Sequence, residues 1–343
     1  MISPVDTKIK ACAIHRVGNK LRDESCILSE NIYNGCDNVY NFLIEYFFTP
    51  FKSEEYFSFY HNINITMNEV YMCVRNIFSN PNTILNHSID LAKHLYEKSI
   101  HPKVKGGEFY VVYFEDCIID GKNTNAIGLF KSENKDTFLK IHHKNQEFII
   151  ESEKGINLNK LDKGCLVFNI EEENGYLVAV VDNTNKGSEA KYWTDDFLHV
   201  HPRKDSFNQT QNLLSLCKSF VSHLPCNNGK IEKATYMNRS VEALKEESVN
   251  INTFAEQVFE NPKLVSEFKQ YKETYQKERD IEIDDSFSTA SNAIKRRATG
   301  TMTTIKLDKN FDINIHGGEQ YIIRGYDEER KMYYYQLFFN EEK

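Results

Sequence analysis

The segment GGEFYVVYFEDCIID (Gly106–Asp120) decides how the chain is expected to fold. From this point apolar residues follow a strand-like period through NAIGLFKSE, DTFLKIHHK, EFIIESEKG and GCLVFNIEEENGYLVAVVDN, whereas the sequence before it has helical spacing. The links between these segments are too short for parallel crossovers. We therefore predict an antiparallel meander, with a tight hairpin at Asn174-Gly175.

The sequence before this segment adds two strands and three helices. KIKACAIHRV (Lys8–Val17) and SCILSENIY (Ser25–Tyr33) are predicted to pair, and helical stripes follow at about 38–60 and 81–99. Between these stripes, Thr66 followed by Glu69 matches a capping box, which predicts a helix that starts after Thr66.

The remainder of the chain is predicted to be a second domain. Helical patterns run from SFNQTQNLLSLCKSFVSHL to PKLVSEFKQYKETYQKE, and strands return in TMTTIKL, FDINI, QYIIRGY and KMYYYQLFF. We place the boundary near His201–Ser206, which gives an α+β domain at 1–204 and a helical region with C-terminal strands and a basic segment at 205–343. The predicted class is α+β: an N-terminal antiparallel sheet with packed helices, a helical region, and a small C-terminal mixed α/β unit.

Composition excludes several classes of protein. A chain of 343 residues with 40% hydrophobic and 13% aromatic residues can build a packed interior. The longest apolar run, VYNFLIEYFF, is interrupted by Glu45 and is too short to span a membrane, and no export signal is visible. The eight cysteines lack a C-x-x-C spacing, so we expect reduced thiols in a cytoplasmic protein, without a metal or cofactor.

The sequence contains no complete catalytic motif, so we expect no enzymatic activity. G-x-S-x-G, the phosphate-binding loop, G-x-G-x-x-G and H-E-x-x-H are all absent from the sequence. His142 and His143 are adjacent on a predicted strand and point to opposite faces. His199 and His201 share a face, but a metal would need a third ligand, and nearby Asp195 or Asp196 would serve only by chance of folding. We therefore interpret them as a surface or half-buried histidine pair.

One arrangement is similar to that of metal-dependent nucleases. Asp120 is followed by Glu133-Asn134-Lys135, a D…E-x-K pattern in which two carboxylates hold Mg²⁺ and the lysine assists the attacking water. The segment SENKD is more typical of a hairpin turn than of a rigid strand. A Mg²⁺-dependent nuclease is therefore kept as the lesser alternative.

The segment SNAIKRRATGTMTTIKL (Ser291–Leu307) carries the main binding hypothesis. The net charge is −8, yet Ser286–Leu307 contains no Asp or Glu. A helix capped by Ser286 or Ser288 and ended by Gly300 would place the basic residues in its last turn, where cations also complement the helix dipole. The dipole explains neither the absence of acids nor the neighbouring threonines. Clustered cations beside hydroxyls are typical of phosphate binding. The first candidates are Lys295, Arg296, Arg297 and Lys306.

Two other basic windows without acidic residues provide further candidates. The first, TKIKACAIHRVGNKLR, supplies Lys8, Lys10 and Arg16 as the second-ranked candidates, and the second, KSIHPKVKGG, supplies Lys103 and Lys105 as the third. Binding to a polyanion depends on such local patches more than on net charge.

The order of landmarks resembles a known family. IHRV, GGEFYVVYFED, NAIGLFK and DDSFSTASNAIKRRATGTMTTIKLDKNFDINIHG follow one another as in the bacterial nucleoid-associated protein family represented by NdpA/YejK. The resemblance implies a cytoplasmic, nucleoid-localised protein that binds double-stranded DNA and has no assigned catalytic residues. A protein partner at the nucleoid and a homodimer are both compatible with it. The alternative is an adaptor that reaches DNA through a protein partner, with KMYYYQLFF as its exposed contact strand.

Overall fold

The computed structural model describes residues 2–144, 146–184, 192–225, 230–279, 281–298, 304–315 and 319–341, without the side chains of 295–298 and 319. The chain divides into two compact units, Met1–Arg203 and Lys204–Lys343. No helix in these described ranges is long and apolar enough to cross a membrane.

The first unit contains most of the strands. They are β1 (Ile2–Ser3), β2 (Lys8–Val17), β3 (Cys26–Ile27), β4 (Tyr56–Phe59), β5 (Gly107–Ile119), β6 (Lys122–Ser132), β7 (Asp136–Lys144), β8 (Glu147–Gly155), β9 (Lys163–Phe168), β10 (Leu177–Asp182) and β11 (Val200–Pro202). Its helices are α1 (Asp37–Phe48), α2 (Glu69–Ser79) and α3 (Ile84–Lys98), with a π-helical turn at Tyr192–Leu198.

A nine-stranded antiparallel sheet organises this unit. Its order is β11-β4-β10-β9-β6-β5-β2-β3, and β1 also pairs with β5. β5 is apolar almost throughout because both faces of the sheet are covered. Phe109 and Val111 pack into the core that contains α2 and α3, whereas Tyr110 and Val112 pack into the core that contains α1. On the α1 side, Phe47 stacks on Phe130 with ring centroids 4.0 Å apart.

The predicted meander is interrupted by a hairpin. Among the described residues, β7 and β8 pair only with each other, while β6 pairs directly with β9. Most side chains of the hairpin are exposed, including Leu139 and Phe148. Its alternating pattern predicted the strands correctly, but periodicity carries no information about which strands are partners. The turn at Asn174-Gly175 is also longer than predicted, since β9 ends at Phe168 and β10 begins at Leu177.

Two local predictions in the first unit are wrong. Tyr56–Phe59, predicted as the end of a helical stripe, is β4 and pairs with β10 and β11. The helix predicted to follow Thr66 begins at Glu69, and its N-cap is Asn68, whose side chain accepts a hydrogen bond from the Tyr71 N–H at 2.9 Å. The Asn68 amide also donates to the Leu198 carbonyl at 3.1 Å. This long-range contact selects Asn68 over Thr66 as the cap.

A buried histidine joins β2 to α3. His15 is 2% exposed, and its Nδ1 accepts the Ser29 N–H at 3.0 Å. Nε2 therefore carries the proton and donates to Ser88 Oγ at 2.9 Å. Burial lowers the pKa of His15 below its ordinary value of 6.5.

We expect His15→Gln to reduce the dependence of unit 1 stability on acid pH. Because the unfolded chain protonates more readily than the buried ring, the free energy of unfolding falls as pH drops below about 6.5, by at most about 1.4 kcal/mol per pH unit for one proton. Glutamine can retain both hydrogen bonds but does not titrate. Urea unfolding at several pH values, followed through Trp193 fluorescence, measures the difference. The exposed His143→Gln is the control, and equal pH slopes in wild type and His15→Gln would contradict the assignment.

The second unit is helical with three strand pairs. It contains α4 (Ser206–His223), α5 (Lys230–Ala243), β12 (Ser248–Asn250), α6 (Ile251–Phe259), α7 (Pro262–Arg279), β13 (Ser286–Ser288), α8 (Ser291–Ala298), β14 (Thr304–Leu307), β15 (Phe311–Asn314), β16 (Ile322–Asp327) and β17 (Met332–Leu337). The pairs are β12 with β13, β14 with β15, and β16 with β17. The four C-terminal strands are those the sequence predicted, and the α+β class is confirmed.

Two cores hold the second unit together. Phe220, Phe254 and Phe268 lie in the larger one, between α4, α6 and α7. A smaller one joins Ile231 of α5 to Ile305 of β14. The regular apolar spacing of these helices made them predictable from the sequence.

The predicted cap of the basic helix is wrong. Ser286 and Ser288 belong to β13, which pairs with β12, and α8 begins only at Ser291. The long-range strand pairing outweighs the local capping preference of serine. The predicted C-cap, Gly300, lies outside the described residues.

Candidate nucleic-acid interface

Helix α8 carries the first three candidate cations. Its apolar residues Ala293 and Ile294 are 0% and 6% exposed. The Ala290 N–H, just before the helix, donates to Thr210 Oγ1 on α4 at 3.0 Å. Lys295, Arg296 and Arg297 follow directly on the same helix, although their side chains lie outside the described part. The backbone that presents them is thus anchored to the core of the second unit.

Lys306 has a different environment from the one the sequence suggested. It is an exposed residue of β14, and its carbonyl accepts a hydrogen bond from Lys230 Nζ at 3.4 Å. Asp312 of β15 lies directly opposite it in the strand pair. The segment that lacks acids in sequence therefore has a carboxylate as a cross-strand neighbour.

Carboxylates also face the cations of β2. Lys8 pairs with Asp116 at 3.4 Å and Lys10 with Glu115 at 3.6 Å. The third cation, Arg16, lies 3.9 Å from Glu108. All three carboxylates belong to β5, the neighbouring strand. Pairing of β2 with β5 thus reduces the positive potential that the acid-free window of β2 predicted.

Lys103 and Lys105 come together with two lysines that are distant in sequence. All four line a cavity of about 750 Å³ in the first unit, and we call them the lysine pocket: Lys103, Lys105, Lys135 and Lys160. Lys105 Nζ donates to Asn134 Oδ1 at 2.7 Å, so its hydrogen-bond partner is a neutral amide. Lys135 pairs with Glu108 at 2.6 Å and Lys160 with Asp136 at 3.1 Å.

Asp162 holds one wall of the lysine pocket. Its Oδ2 accepts the backbone N–H groups of Glu133 at 2.6 Å and Asn134 at 2.8 Å, and its Oδ1 accepts the Asn134 side-chain amide at 2.6 Å. These bonds fix the turn after β6 and place Asn134 beside Lys105.

Two buried lysines lie beside this pocket. Lys131 and Lys163 are directly opposite each other in the β6–β9 pair, and both side chains are 0% exposed. Glu133 neutralises Lys131 at 3.1 Å, and Asp182 binds Lys163 through both oxygens at 2.9 Å. Two like charges side by side in a core are unfavourable unless each has its own counter-ion.

Tyr192 completes this buried cluster. Lys131 Nζ donates to its hydroxyl at 3.1 Å. Burial lowers the pKa of Lys131 and, together with Glu133 and Asp182, raises that of Tyr192 well above its ordinary value. Sequence reasoning missed this cluster and the lysines at 135 and 160. The only local signal was a lysine at the end of each of two apolar strands.

The residues of the nuclease-like pattern do not come together. Asp120 precedes β6 and Glu133 follows it, and a strand of 11 residues spans roughly 35 Å at ~3.3 Å per residue. Within the lysine pocket, Asp162 is occupied by N–H donors. Neither His142/His143 nor His199/His201 joins a group of three potential metal ligands in the described ranges.

The C-terminal strand β17 presents an aromatic surface. Met332, Tyr333 and Tyr334 are 61%, 64% and 47% exposed, and Phe339 beyond the strand is 73% exposed. The Arg324 guanidinium lies 4.1 Å from the Tyr333 ring centroid, a cation–π contact. This surface is the one that the adaptor hypothesis requires.

The fold and these surfaces define an α+β protein of two units that carries clustered lysines and arginines on both. A model of the family described as NA37, nucleoid-associated protein YejK, matches residues 13–333. The match covers nearly the whole chain, so the chain belongs to this family. Comparison with curated proteins gives no match.

Membership of the family confirms the resemblance seen in the sequence. The chain is a bacterial nucleoid-associated protein, and the family places it at the nucleoid, in the cytoplasm. The family match covers both units but does not assign DNA contacts to particular residues.

Proposed function

We propose that the protein binds double-stranded DNA through phosphate contacts, without reading base sequence and without catalysing a reaction. The observation that carries this proposal is α8, where three adjacent cations stand in a segment of 22 residues, Ser286–Leu307, that has no acid. Membership of a nucleoid-associated family supports it. Binding of this kind is driven by release of counterions from the DNA backbone.

The candidate contacts differ in their surroundings. Lys295, Arg296 and Arg297 rank first, with Lys306 beside them in sequence. In the first unit the lysine pocket ranks next, because Lys105 there bonds to a neutral amide and shares the cavity with three further lysines. Lys8, Lys10 and Arg16 rank last, since each faces a carboxylate of β5. A net charge of −8 makes binding dependent on these local patches and sensitive to salt.

Fluorescence anisotropy with duplexes of unrelated sequence, across a salt series, tests the proposal. We expect similar affinities for all duplexes and a steep linear fall of log K with log salt. Absence of binding at low salt would refute direct DNA contact, and strong preference for one duplex would refute sequence independence. Intact DNA after incubation with Mg²⁺ is expected, whereas nicking of a plasmid would refute the non-enzymatic part.

The lysine pocket can be tested separately from α8. We expect Lys103→Ala combined with Lys105→Ala to weaken duplex binding about 10–100-fold near 0.1 M salt, because two phosphate contacts are lost. The double variant Lys8→Ala and Lys10→Ala changes net charge equally but removes cations that lie outside the lysine pocket, on β2. It should weaken binding much less. Equal effects of the two double variants, measured by the same anisotropy titration, would show that only net charge matters.

A second candidate function is that of an adaptor. The exposed side chains of β17 favour it, because contiguous exposed aromatic residues mark protein-binding surfaces. Tyr333→Ser combined with Tyr334→Ser should then abolish capture of a nucleoid protein while DNA affinity stays unchanged. The role would be excluded if the double variant binds duplex DNA as well as wild type does and the wild-type protein captures no partner.

A further inference from the structure

Packing of α2 against α3 brings three potential metal ligands together. Cys73 lies on α2, and His87 and Asp90 lie one helical turn apart on α3. Their ligand atoms are all within 4.8 Å of one another, and His87 Nδ1 is 3.6 Å from Asp90 Oδ2. We call these residues the Cys–His–Asp cluster. No spacing in the sequence predicted it, because its members come from two helices.

The two helices are held rigidly at this point. Val70, Val74 and Ile77 of α2 and Leu91 and Leu95 of α3 are essentially buried in the core beneath the sheet. Cys73 packs at the edge of the same core, and His87 and Asp90 are 21% and 60% exposed. The cluster therefore lies at the surface end of a fixed helix–helix contact, where an ion has access from solvent.

The electrostatics of the cluster favour a cation. Burial, together with the carboxylates of Asp90 and Glu69, raises the pKa of the Cys73 thiol to about 12. Glu69 lies one turn before Cys73 on α2. Within the described ranges, no lysine or arginine forms an ion pair or hydrogen bond with the side chains of the cluster. The carboxylates of Asp90 and Glu69, with no lysine or arginine bound to them in the described ranges, create a negative local potential.

We propose that Cys73, His87 and Asp90 form a zinc site. A thiolate, an imidazole and a carboxylate are the three ligand types that Zn²⁺ takes in proteins. The sulfur ligand disfavours Mg²⁺ and Ca²⁺, which prefer oxygen. Tetrahedral zinc, with bonds of about 2.0–2.3 Å, separates its ligand atoms by about 3.3–3.7 Å. The His87–Asp90 distance of 3.6 Å already has this value, and small side-chain rotations bring in Cys73.

Water would occupy the fourth position. Binding forms the Zn–S bond and releases the proton of the Cys73 thiol to solvent, so affinity rises with pH. One thiolate and one carboxylate balance the charge of the ion. Because ligands come from both α2 and α3, zinc bound there would link the two helices and stabilise the first unit by mass action.

Zinc titration of the full chain tests the site. The protein is first stripped with a chelator under reducing conditions, and Zn²⁺ alone is then added against a chromophoric competitor. We expect one zinc per chain, with affinity at least about 100-fold lower in Cys73→Ser and in His87→Gln. Cys36→Ser removes an exposed thiol outside the cluster and should bind as wild type. Equal affinity of wild type and Cys73→Ser, or loss in Cys36→Ser alone, would overturn the proposal.

Two further measurements keep the test independent of folding. Co²⁺ in place of Zn²⁺ should give a sulfur-to-cobalt absorption band in wild type and Cys36→Ser that is missing in Cys73→Ser. Thermal unfolding without metal shows whether Cys73→Ser is folded. If it is folded, added zinc should raise the Tm of wild type and leave that of Cys73→Ser unchanged. The same zinc-dependent rise in both proteins would place the metal elsewhere.

Discussion

The triple variant Lys295→Ala, Arg296→Ala and Arg297→Ala is expected to lose about 10²–10³-fold in affinity for duplex DNA near 0.1 M salt. Each phosphate contact contributes about 0.9 to the slope of log K against log salt, so three lost contacts flatten the slope by about 2.7. The loss should be the same for duplexes of different sequence, because phosphate contacts carry no base information. Anisotropy titrations across a salt series measure both quantities.

A matched variant controls for charge. Lys245→Ala, Lys263→Ala and Lys277→Ala removes the same charge from exposed positions of the second unit, of which Lys245 and Lys263 pair with glutamates. It should change affinity and slope far less than the α8 variant. If both triple variants behave alike, or if the folded α8 variant binds as wild type, the three residues serve only as the C-terminal end of a helix.

Glu133→Gln is expected to destabilise the first unit by about 3–5 kcal/mol, the usual effect of breaking a buried ion pair. The Glu133 side chain is 4% exposed and is the counter-ion of Lys131, which lies opposite the equally buried Lys163. Without Glu133, the hydrogen bonds of the buried Lys131 ammonium to the Lys105 carbonyl and the Tyr192 hydroxyl bring it no negative charge. Trp193 is the only tryptophan and is fully buried in this unit, so its fluorescence during urea unfolding reports the change.

Restoring the balance of charge should restore stability. Lys131→Met in the Glu133→Gln background removes the unpaired ammonium, and we expect it to recover most of the loss. Glu153→Gln breaks the exposed pair with Lys140, which has an N–O distance of 3.4 Å, and should cost less than about 1 kcal/mol. A loss for Glu133→Gln no larger than for Glu153→Gln would mean that the buried pair is not strongly coupled.

Local patterns of apolar residues in the sequence predicted much of the fold. β2 and β5 follow from alternation or continuous apolar runs, and α4 follows from its helical stripe. These features depend on neighbours along the chain, so periodicity reveals them. The errors in predicting secondary structure arose where a segment pairs with another that is distant in the sequence. β4 was predicted as helix because its partners, β10 and β11, are more than a hundred residues away.

The candidate site also has features that the sequence predicts and features that depend on the tertiary structure. The basic run on α8 and its lack of acids are properties of the sequence. The lysine pocket is not, because β6 must pair with β9 before Lys105, Lys135 and Lys160 can line one cavity. The pairing of Lys8 and Lys10 with carboxylates of β5 could not be predicted either, since those carboxylates lie about a hundred positions away in the sequence.

The sequence by itself determined the α+β class, most of the strands and helices of both units, the basic segment of α8 and the resemblance to a nucleoid-associated family. Only the tertiary structure decided which strands pair, which cations face carboxylates, and that Cys73 meets His87 and Asp90. The physical reason is that secondary structure follows local periodicity. Charge balance and ligand clusters, by contrast, depend on contacts between residues that are distant along the chain.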